Sequence, residues 1–293
     1  MRFFEQRDNT RLPEKDTVVF YHGDCTDGFT AAWVAYQKFG NQAQYLSFFH
    51  EDEPPFLKGK TIYTLDMTFP EPMTKRLMQD NLRVTAIDHH VSTKEVTLMT
   101  HQPSYALNHS GCVLAWKYFF PKKPVPKFLL AVEDIDLWCN KLPASKFLYS
   151  YLNLFNYKFQ IWSKLIKDFE DPDKFKKIAE TGSVLAKYEN QIIEYNIRSN
   201  ARLVNFEGYE VYAINTTDSS SKVGAKLCKM KPPLALIWRE DKDRVVVSLR
   251  GVGDIDCSVL AKKYGGGGHK YSAAFRLKSL KDIPWQAVQK TNV

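Results

Sequence analysis

The stretch Val84-Thr85-Ala86-Ile87-Asp88-His89-His90-Val91-Ser92 decides the fold. A short apolar run with β-branched residues ends in one carboxylate and two imidazoles. Such a run, bounded by polar residues, reads as a buried strand. The polar groups then arrive at the carboxyl edge of a sheet, where open α/β folds bind their ligands. The alternative is a polar loop start whose histidines are satisfied by local hydrogen bonds.

Two further predicted strands end the same way. Thr17–Tyr21 runs into His22-Gly23-Asp24-Cys25-Thr26-Asp27-Gly28, and Thr61–Leu65 runs into Asp66. With helical stretches between the strands, His22, Asp24, Asp27, Asp66, Asp88, His89 and His90 reach one rim. So many groups repel one another or need desolvating partners. Divalent cations resolve that conflict, because carboxylates and neutral imidazoles are hard to borderline ligands. Far downstream stands Gly265-Gly266-Gly267-Gly268-His269, with Lys270 beside it and Arg250 ending a predicted strand upstream. Successive glycines let backbone N–H groups converge on an anion without Cβ obstruction. A flexible surface turn is the competing reading.

The Asp88-His89-His90 triplet, His22…Asp27-Gly28, the isolated Asp66 and the terminal glycine run with His269 resemble, in this order, the DHH phosphoesterase superfamily with its DHHA1 domain. The resemblance covers nearly the whole chain. It implies an α/β fold with a doubly wound, mostly parallel sheet, a helical connector and a smaller α/β C-terminal domain. It implies two divalent cations held by His22, Asp24, Asp27, Asp66, His89 and Asp134, with Asp66 bridging them. His90 then lies beside the scissile phosphate, and Asp88 orients an imidazole through its ring N–H. A metal pair about 3.5–4 Å apart holds a bridging hydroxide and clamps a phosphate for in-line displacement. Oxygen and imidazole ligands suit manganese, with magnesium or cobalt as rivals.

The chain departs from the family at the first motif, where two acids normally stand one residue apart before the glycine. Here the order is Asp24-Cys25-Thr26-Asp27. Either Asp24 reaches the metal from a shortened loop, or Cys25 takes the ligand position and biases the site toward a softer metal. In the fourth motif Asp134 fits better than Asp136, two residues on. Arg250, Gly266, Gly267, Gly268 and His269 form the expected receptor for a terminal phosphate or nucleotide, facing the metals across a cleft. Asn108, His109 and Ser110 are further phosphate contacts or, equally, helix-capping residues.

The chain has 293 residues, enough for two domains, with a formal charge of +8 and five cysteines without a CxxC. The charge favours polyanionic partners. Sparse cysteines suit a reducing cytoplasm rather than a disulfide framework. No run of 18 apolar residues predicts a membrane span, and residues 1–7 lack an apolar signal core.

Residues 1–16 read as an irregular lead-in. Helices are expected over Phe29–Phe39, Pro70–Asn81, from Asn108 to near Phe120, and over Phe128–Trp138. The last carries Glu133, Asp134 and Asp136 in an otherwise buried-looking segment. An aromatic stripe from Leu148 to Phe169 reads as packing. The DHH domain is placed at 1–190, a connector at 190–200 and the DHHA1 domain at 201–293. The latter is predicted to contain a hairpin around Glu207-Gly208, a helix after Asp218–Ser221, two strands, a short helix, the glycine run and a last strand.

The leading expectation is a two-metal phosphodiesterase acting on short oligonucleotides, dinucleotides or related small nucleotides. A manganese-dependent inorganic pyrophosphatase and a non-catalytic nucleotide-binding protein on the same fold are the alternatives. The expected partners are short nucleic acid or a small nucleotide, with no membrane and with a homodimer allowed.

Overall fold

A computed structural model describes residues 14–49, 52–217, 219–241 and 244–288. Residues 1–13 of the expected lead-in and Asp218 lie outside them. The chain divides into two units, 1–186 and 187–293.

The first unit alternates strands and helices: β1 (Thr17–His22), α1 (Thr26–Phe39), β2 (Ala43–Phe48), β3 (Thr61–Leu65), α2 (Glu71–Asp80), β4 (Arg83–Asp88), α3 (Lys94–Leu98), β5 (Ser104–Tyr105), α4 (Gly111–Phe119), α5 (Lys127–Asp136), α6 (Leu148–Leu152), α7 (Phe159–Glu170) and the start of α8 (Pro172–Asn200). The five strands lie in the order β2-β1-β3-β4-β5, and every pairing is parallel. Alternating residues feed opposite faces, as the pleat requires. Val18, Phe20, Ile62 and Val84 pack with Phe69 and Leu77 on one side. Val19, Tyr63, Leu65 and Ile87 pack on the other with residues of α1, α4, α5 and α7. Both faces are therefore covered, which explains why β4 reads as a nearly continuous apolar run. Fully buried side chains such as Phe20 and Leu65 each contribute about 1.5–3 kcal/mol.

Register sets the site. Tyr21 pairs with Leu65, and Leu65 with Ile87. The next residue of each strand, His22, Asp66 and Asp88, is thus brought side by side at the carboxyl edge.

The second unit holds the rest of α8, then β6 (Arg202–Phe206), β7 (Tyr209–Asn215), α9 (Ser220–Met230), β8 (Leu234–Asp241), β9 (Arg244–Gly251), α10 (Cys257–Lys262), β10 (Gly267–His269), β11 (Ser272–Leu277) and β12 (Gln286–Ala287). Its sheet runs β10-β11-β9-β8-β7-β6-β12, mostly antiparallel, with β7 and β8 parallel. The β6–β7 hairpin turns at Glu207 and Gly208, both at positive φ, as a two-residue turn of this hand requires. Helix α9 starts one residue after Ser219, whose side chain accepts the Lys222 amide. The stretch 190–200, expected as the connector at the end of a long helix, is helical. It completes α8, and Ile193 and Ile197, one turn apart, are buried with Ile214, Val223 and Leu227 in the second unit's core. No helix among the described residues is long and apolar enough to cross a membrane.

Candidate metal centre

Three strand ends, the first turn of α1 and the last residue of α5 build the first unit's polar cluster. At the end of β3 the backbone swings to φ 56° at Asp66, a left-handed conformation uncommon for a residue other than glycine. Asp66 is 1 % exposed, and its two oxygens look opposite ways. Oδ2 lies 3.3 Å from His22 Nδ1, and Oδ1 lies 3.1 Å from His89 Nε2. The Oδ1 atom is buried and makes no well-aligned hydrogen bond. Such an acceptor in a dry site calls for a cation.

On the far side of His89, Asp136 Oδ2 stands 3.5 Å from the same Nε2. Asp27, on the first turn of α1, completes this side. Its oxygens accept the amides of Gly111 (2.6 Å) and Cys112 (3.0 Å) at the start of α4. A helix N-terminus suits a carboxylate, since its first amides lack helical partners. Gly111 has no room for a side chain there. A Cβ would lie 2.6 Å from Asp66 Cβ and 2.9 Å from Asp27 Oδ2.

Asp88 faces inward and is fully buried. Its Oδ1 takes the backbone amides of His89 and His90 and the Nδ1–H of His90 at 2.7 Å. Its Oδ2 accepts the hydroxyls of Thr68 and Thr93. This arrangement leaves Nε2 as the His90 nitrogen with a lone pair to offer.

The charges are crowded. Burial, with the Asp66 and Asp136 carboxylates, pushes Asp27 up to about 8. Burial and Asp66 likewise raise Asp136 to about 6 against the pull of His89. Burial opposes protonation of His89, but the Asp66 carboxylate 3.1 Å away, with Asp136 and Asp27, lifts it to about 10. Without a cation the cluster holds protons among its acids and imidazoles. One donor atom each from Asp27, His89 and Asp136 lies within 4.8 Å of the others, and so does one each from His22, Asp66 and His90. Oxygen and imidazole donors in two adjoining sets, around an oxygen lacking a hydrogen bond, fit divalent cations.

The structure corrects the fourth motif. Asp134 does not face the cluster. Its carboxylate closes the loop after α5, accepting the amides of Lys141 (3.1 Å) and Leu142 (2.9 Å) and the Ser145 hydroxyl. Those bonds hold its pKa below the usual carboxylate range against its burial. Asp136, two residues on, faces the cluster because a two-residue step on a helix turns a side chain to a different face. At the first motif, Asp24 is exposed with φ 55°. The Cys25 thiol instead lies in the field of the cluster, where burial and the Asp66, Asp136 and Asp27 carboxylates push it well up.

In the second unit, Arg250 pairs with Ser272, and Ser272 with His269. Directly opposed residues on neighbouring strands share a face, so Arg250, Ser272 and His269 form a row across three strands. The Arg250 guanidinium donates to Ser220 Oγ (3.2 Å) and Ser221 Oγ (3.0 Å) at the start of α9. The glycine run is not an open loop of converging amides. Gly267–His269 is strand β10, and a Cβ on Gly266 would sit 2.1 Å from the Ala274 carbonyl oxygen. Close strand contact explains Gly266 and Gly268, while Gly267 has open space.

Residues 208–290 match the DHHA1 domain model. That stretch therefore carries a DHHA1 domain. Uncharacterized protein R106 of Acanthamoeba polyphaga mimivirus is 26 % identical, over 92 % of this chain and 70 % of that protein. Among solved structures, the pGpG-specific phosphodiesterase PggH from Vibrio cholerae superposes with a TM-score of 0.50 at 12 % identity, covering 92 % of this chain and 95 % of that one. RecJ in complex with Mn2+ from Thermus thermophilus gives 0.46 at 12 % identity, covering 89 % and 49 %. At these identities the likeness to PggH speaks to the fold.

The first unit thus brings together His22, Asp27, Asp66, Asp88, His89 and His90, and leaves Asp134 outside. His109 belongs to another group, with Nδ1 at 3.0 Å from Glu133 Oε2 and Nε2 at 2.5 Å from Lys117 Nζ. Glu133 also accepts the Ser110 amide at the start of α4. Gly111, Thr68 and Thr93 were not singled out in the sequence.

Proposed function

We propose that this DHH–DHHA1 chain is a divalent-metal-dependent phosphodiesterase acting on short oligonucleotides, dinucleotides or related small nucleotides. One observation carries the reading: Asp66, a member of the His22–Asp66–His90 donor set, presents one oxygen toward His22 and the other toward His89 of the Asp27–His89–Asp136 set. His22, Asp66 and His90 would hold one cation and Asp27, His89 and Asp136 the other, with Asp66 shared. When bound, such a pair would lower the pKa of water and offset charge on phosphoryl oxygens.

The chain's own residues do the rest. Asp88 keeps the His90 proton on Nδ1, so Nε2 points its lone pair outward. The α4 amides hold Asp27 in place and favour its ionised form. In the DHHA1 domain, the row Arg250, Ser272 and His269 presents donors to a terminal phosphate or nucleotide. A positively charged chain suits such a substrate. The fold shared with a pGpG-specific phosphodiesterase is consistent with a substrate of a few nucleotides.

The test is manganese-dependent hydrolysis of pyrophosphate, 3′-phosphoadenosine 5′-phosphate, cyclic dinucleotides, and RNA and DNA from dinucleotides upward. Preference for the shortest oligonucleotides supports the reading. Hydrolysis of pyrophosphate alone replaces it with the pyrophosphatase. No hydrolysis with manganese, magnesium or cobalt replaces it with a non-catalytic nucleotide binder.

A further inference from the structure

The exposed loop after α5 is tied down at both ends. The Asp134 carboxylate accepts the Lys141 and Leu142 amides and the Ser145 hydroxyl, and its backbone carbonyl accepts the Asn140 amide at 3.1 Å. Nearer the helix, the Trp138 amide donates to the Ile135 carbonyl at 3.1 Å. Between these ties the backbone is left-handed at Trp138, φ 58°, and at Asn140, φ 50°. Asparagine tolerates that conformation, because its short amide can bond locally. For a bulky residue such as tryptophan it is an outlier, kept only where the surrounding structure enforces it. Strain of this kind gathers at ligand-binding sites.

Core packing does not explain it. Trp138 is 48 % exposed, and its ring makes no hydrogen bond or ring contact among the described residues. The remaining tryptophans are packed: Trp33, Trp116 and Trp162 are buried, and Trp238 and Trp285 lie against the second unit's core. Location supplies the reason that packing does not. Asp136, two residues back, stands 3.5 Å from His89 in the metal cluster, and two residues of chain span at most about 7 Å. A phosphate drawn to the cluster brings its nucleoside beside the end of α5. An indole held there with its surface open to solvent can take a base by stacking, whichever base it is, because every base has a π-face. A protein partner would need a continuous apolar patch, whereas Cys139, Asn140 and Lys141 follow the ring.

We propose that Trp138 is a stacking platform for the nucleobase next to the scissile phosphate, a substrate contact made by the first unit itself. The proposal rests on the phosphodiesterase reading and adds to it a base contact indifferent to base identity. Arg250, Ser272 and His269 would receive a terminal phosphate, whereas Trp138 separates nucleosides from phosphates without a base, pyrophosphate among them.

The test compares the wild type with Trp138→Asn, which suits the left-handed backbone, and Trp138→Phe, which restores a ring. Hydrolysis is followed with manganese on dinucleotides and on a dinucleotide analogue with both bases removed. Trp138→Asn should raise KM for dinucleotides about 5- to 150-fold, the range of one base–aromatic stack, with kcat little changed. On the base-free analogue it should behave as the wild type, and Trp138→Phe should recover part of the loss. Rapid mixing with dinucleotides carrying 2-aminopurine at either position should quench the fluorescence in the wild type and not in Trp138→Asn. The metal-free Trp138→Asn protein should melt no lower than the wild type, since the strained ring is gone. An unchanged KM for dinucleotides, an equal loss on the base-free analogue, undiminished quenching or a lowered melting temperature each overturns the proposal and leaves the phosphodiesterase reading standing. A wild type that hydrolyses no nucleotide overturns both.

Discussion

Two aspartates two residues apart do opposite work at the end of α5, and substitution separates them. Asp136 lies 3.5 Å from His89 in the cluster, whereas Asp134 ties down the following loop. Asp136→Ala should weaken manganese binding by at least about 100-fold and leave the melting temperature of the metal-free protein nearly unchanged. Asp134→Asn should do the reverse. It loses one of two acceptor oxygens facing three donors, and charged hydrogen bonds are worth about 1.5–3 kcal/mol each. Calorimetric titration with manganese beside thermal unfolding reads both. The pH dependence of the second effect has a definite sign. Because the folded pKa of Asp134 is depressed, its stabilisation is complete above the unfolded carboxylate value of about 3.9 and is lost as pH falls through the folded value. The melting difference between wild type and Asp134→Asn should therefore be full at pH 7 and close below about pH 4. A difference that persists undiminished into acid would mean the loop is held by something other than this charge. At the cluster itself, Asp66→Ala and His89→Ala should each abolish turnover at any manganese concentration. Near-normal activity in both would remove Asp66 from the centre of the site.

At the scale of elements, the glycine run makes the sharpest contrast between chemistry and packing. Gly266→Ala puts a methyl 2.1 Å from the Ala274 carbonyl, and Gly268→Ala would hold an L-residue at φ 139° against Ala273. Both should lower the stability of the DHHA1 domain by at least about 1–3 kcal/mol. Gly267→Ala meets open space and should be nearly neutral in thermal unfolding. Equal losses at all three positions would contradict the strand pairing of β10. This element also shows where sequence reading stops. Four glycines mean that backbone is approached closely, by an anion or by another strand, and only the fold shows that Ala274 of β11 is the neighbour. The strand ends were legible for the opposite reason. Apolar runs that stop at His22, Asp66 and Asp88 carry both the sheet and its reactive edge in one dimension, and parallel register aligns them without further information. Asp134 and Asp136 were not separable, because both suit a helix terminus and the choice depends on the angle at which α5 meets the sheet. The sequence shows 190–200 as the end of a long helix, but not that Ile193 and Ile197 pack into the second unit's core, since Val223 and Leu227 lie far along the chain.

For the whole molecule, a cation held at the proposed centre would couple binding to folding. The acids of the cluster come from β3 (through Asp66), α1 and α5, and unfolding scatters them along more than a hundred residues. A cation that binds the folded arrangement but not the dispersed ligands must stabilise the first unit by mass action. At a free manganese concentration of one hundred times Kd the gain is about 2.7 kcal/mol. In a unit of 150–250 residues each kcal/mol moves the midpoint about 2–4 °C, so manganese should raise the melting temperature by roughly 5–10 °C. A chelator should reverse the shift, and Asp66→Ala should abolish it, because it removes a donor of one set and the carboxylate beside His89 of the other. His269→Ala, in the second unit, should keep the whole shift while raising KM for nucleotides and sparing a generic chromogenic phosphodiester. The two variants thus divide the molecule into the part that holds metal and the part that reads substrate. Should His269→Ala lose the manganese shift as well, that division of labour fails. A full shift in Asp66→Ala would instead place the cation away from this cluster, and the reading of the strand ends would fail with it.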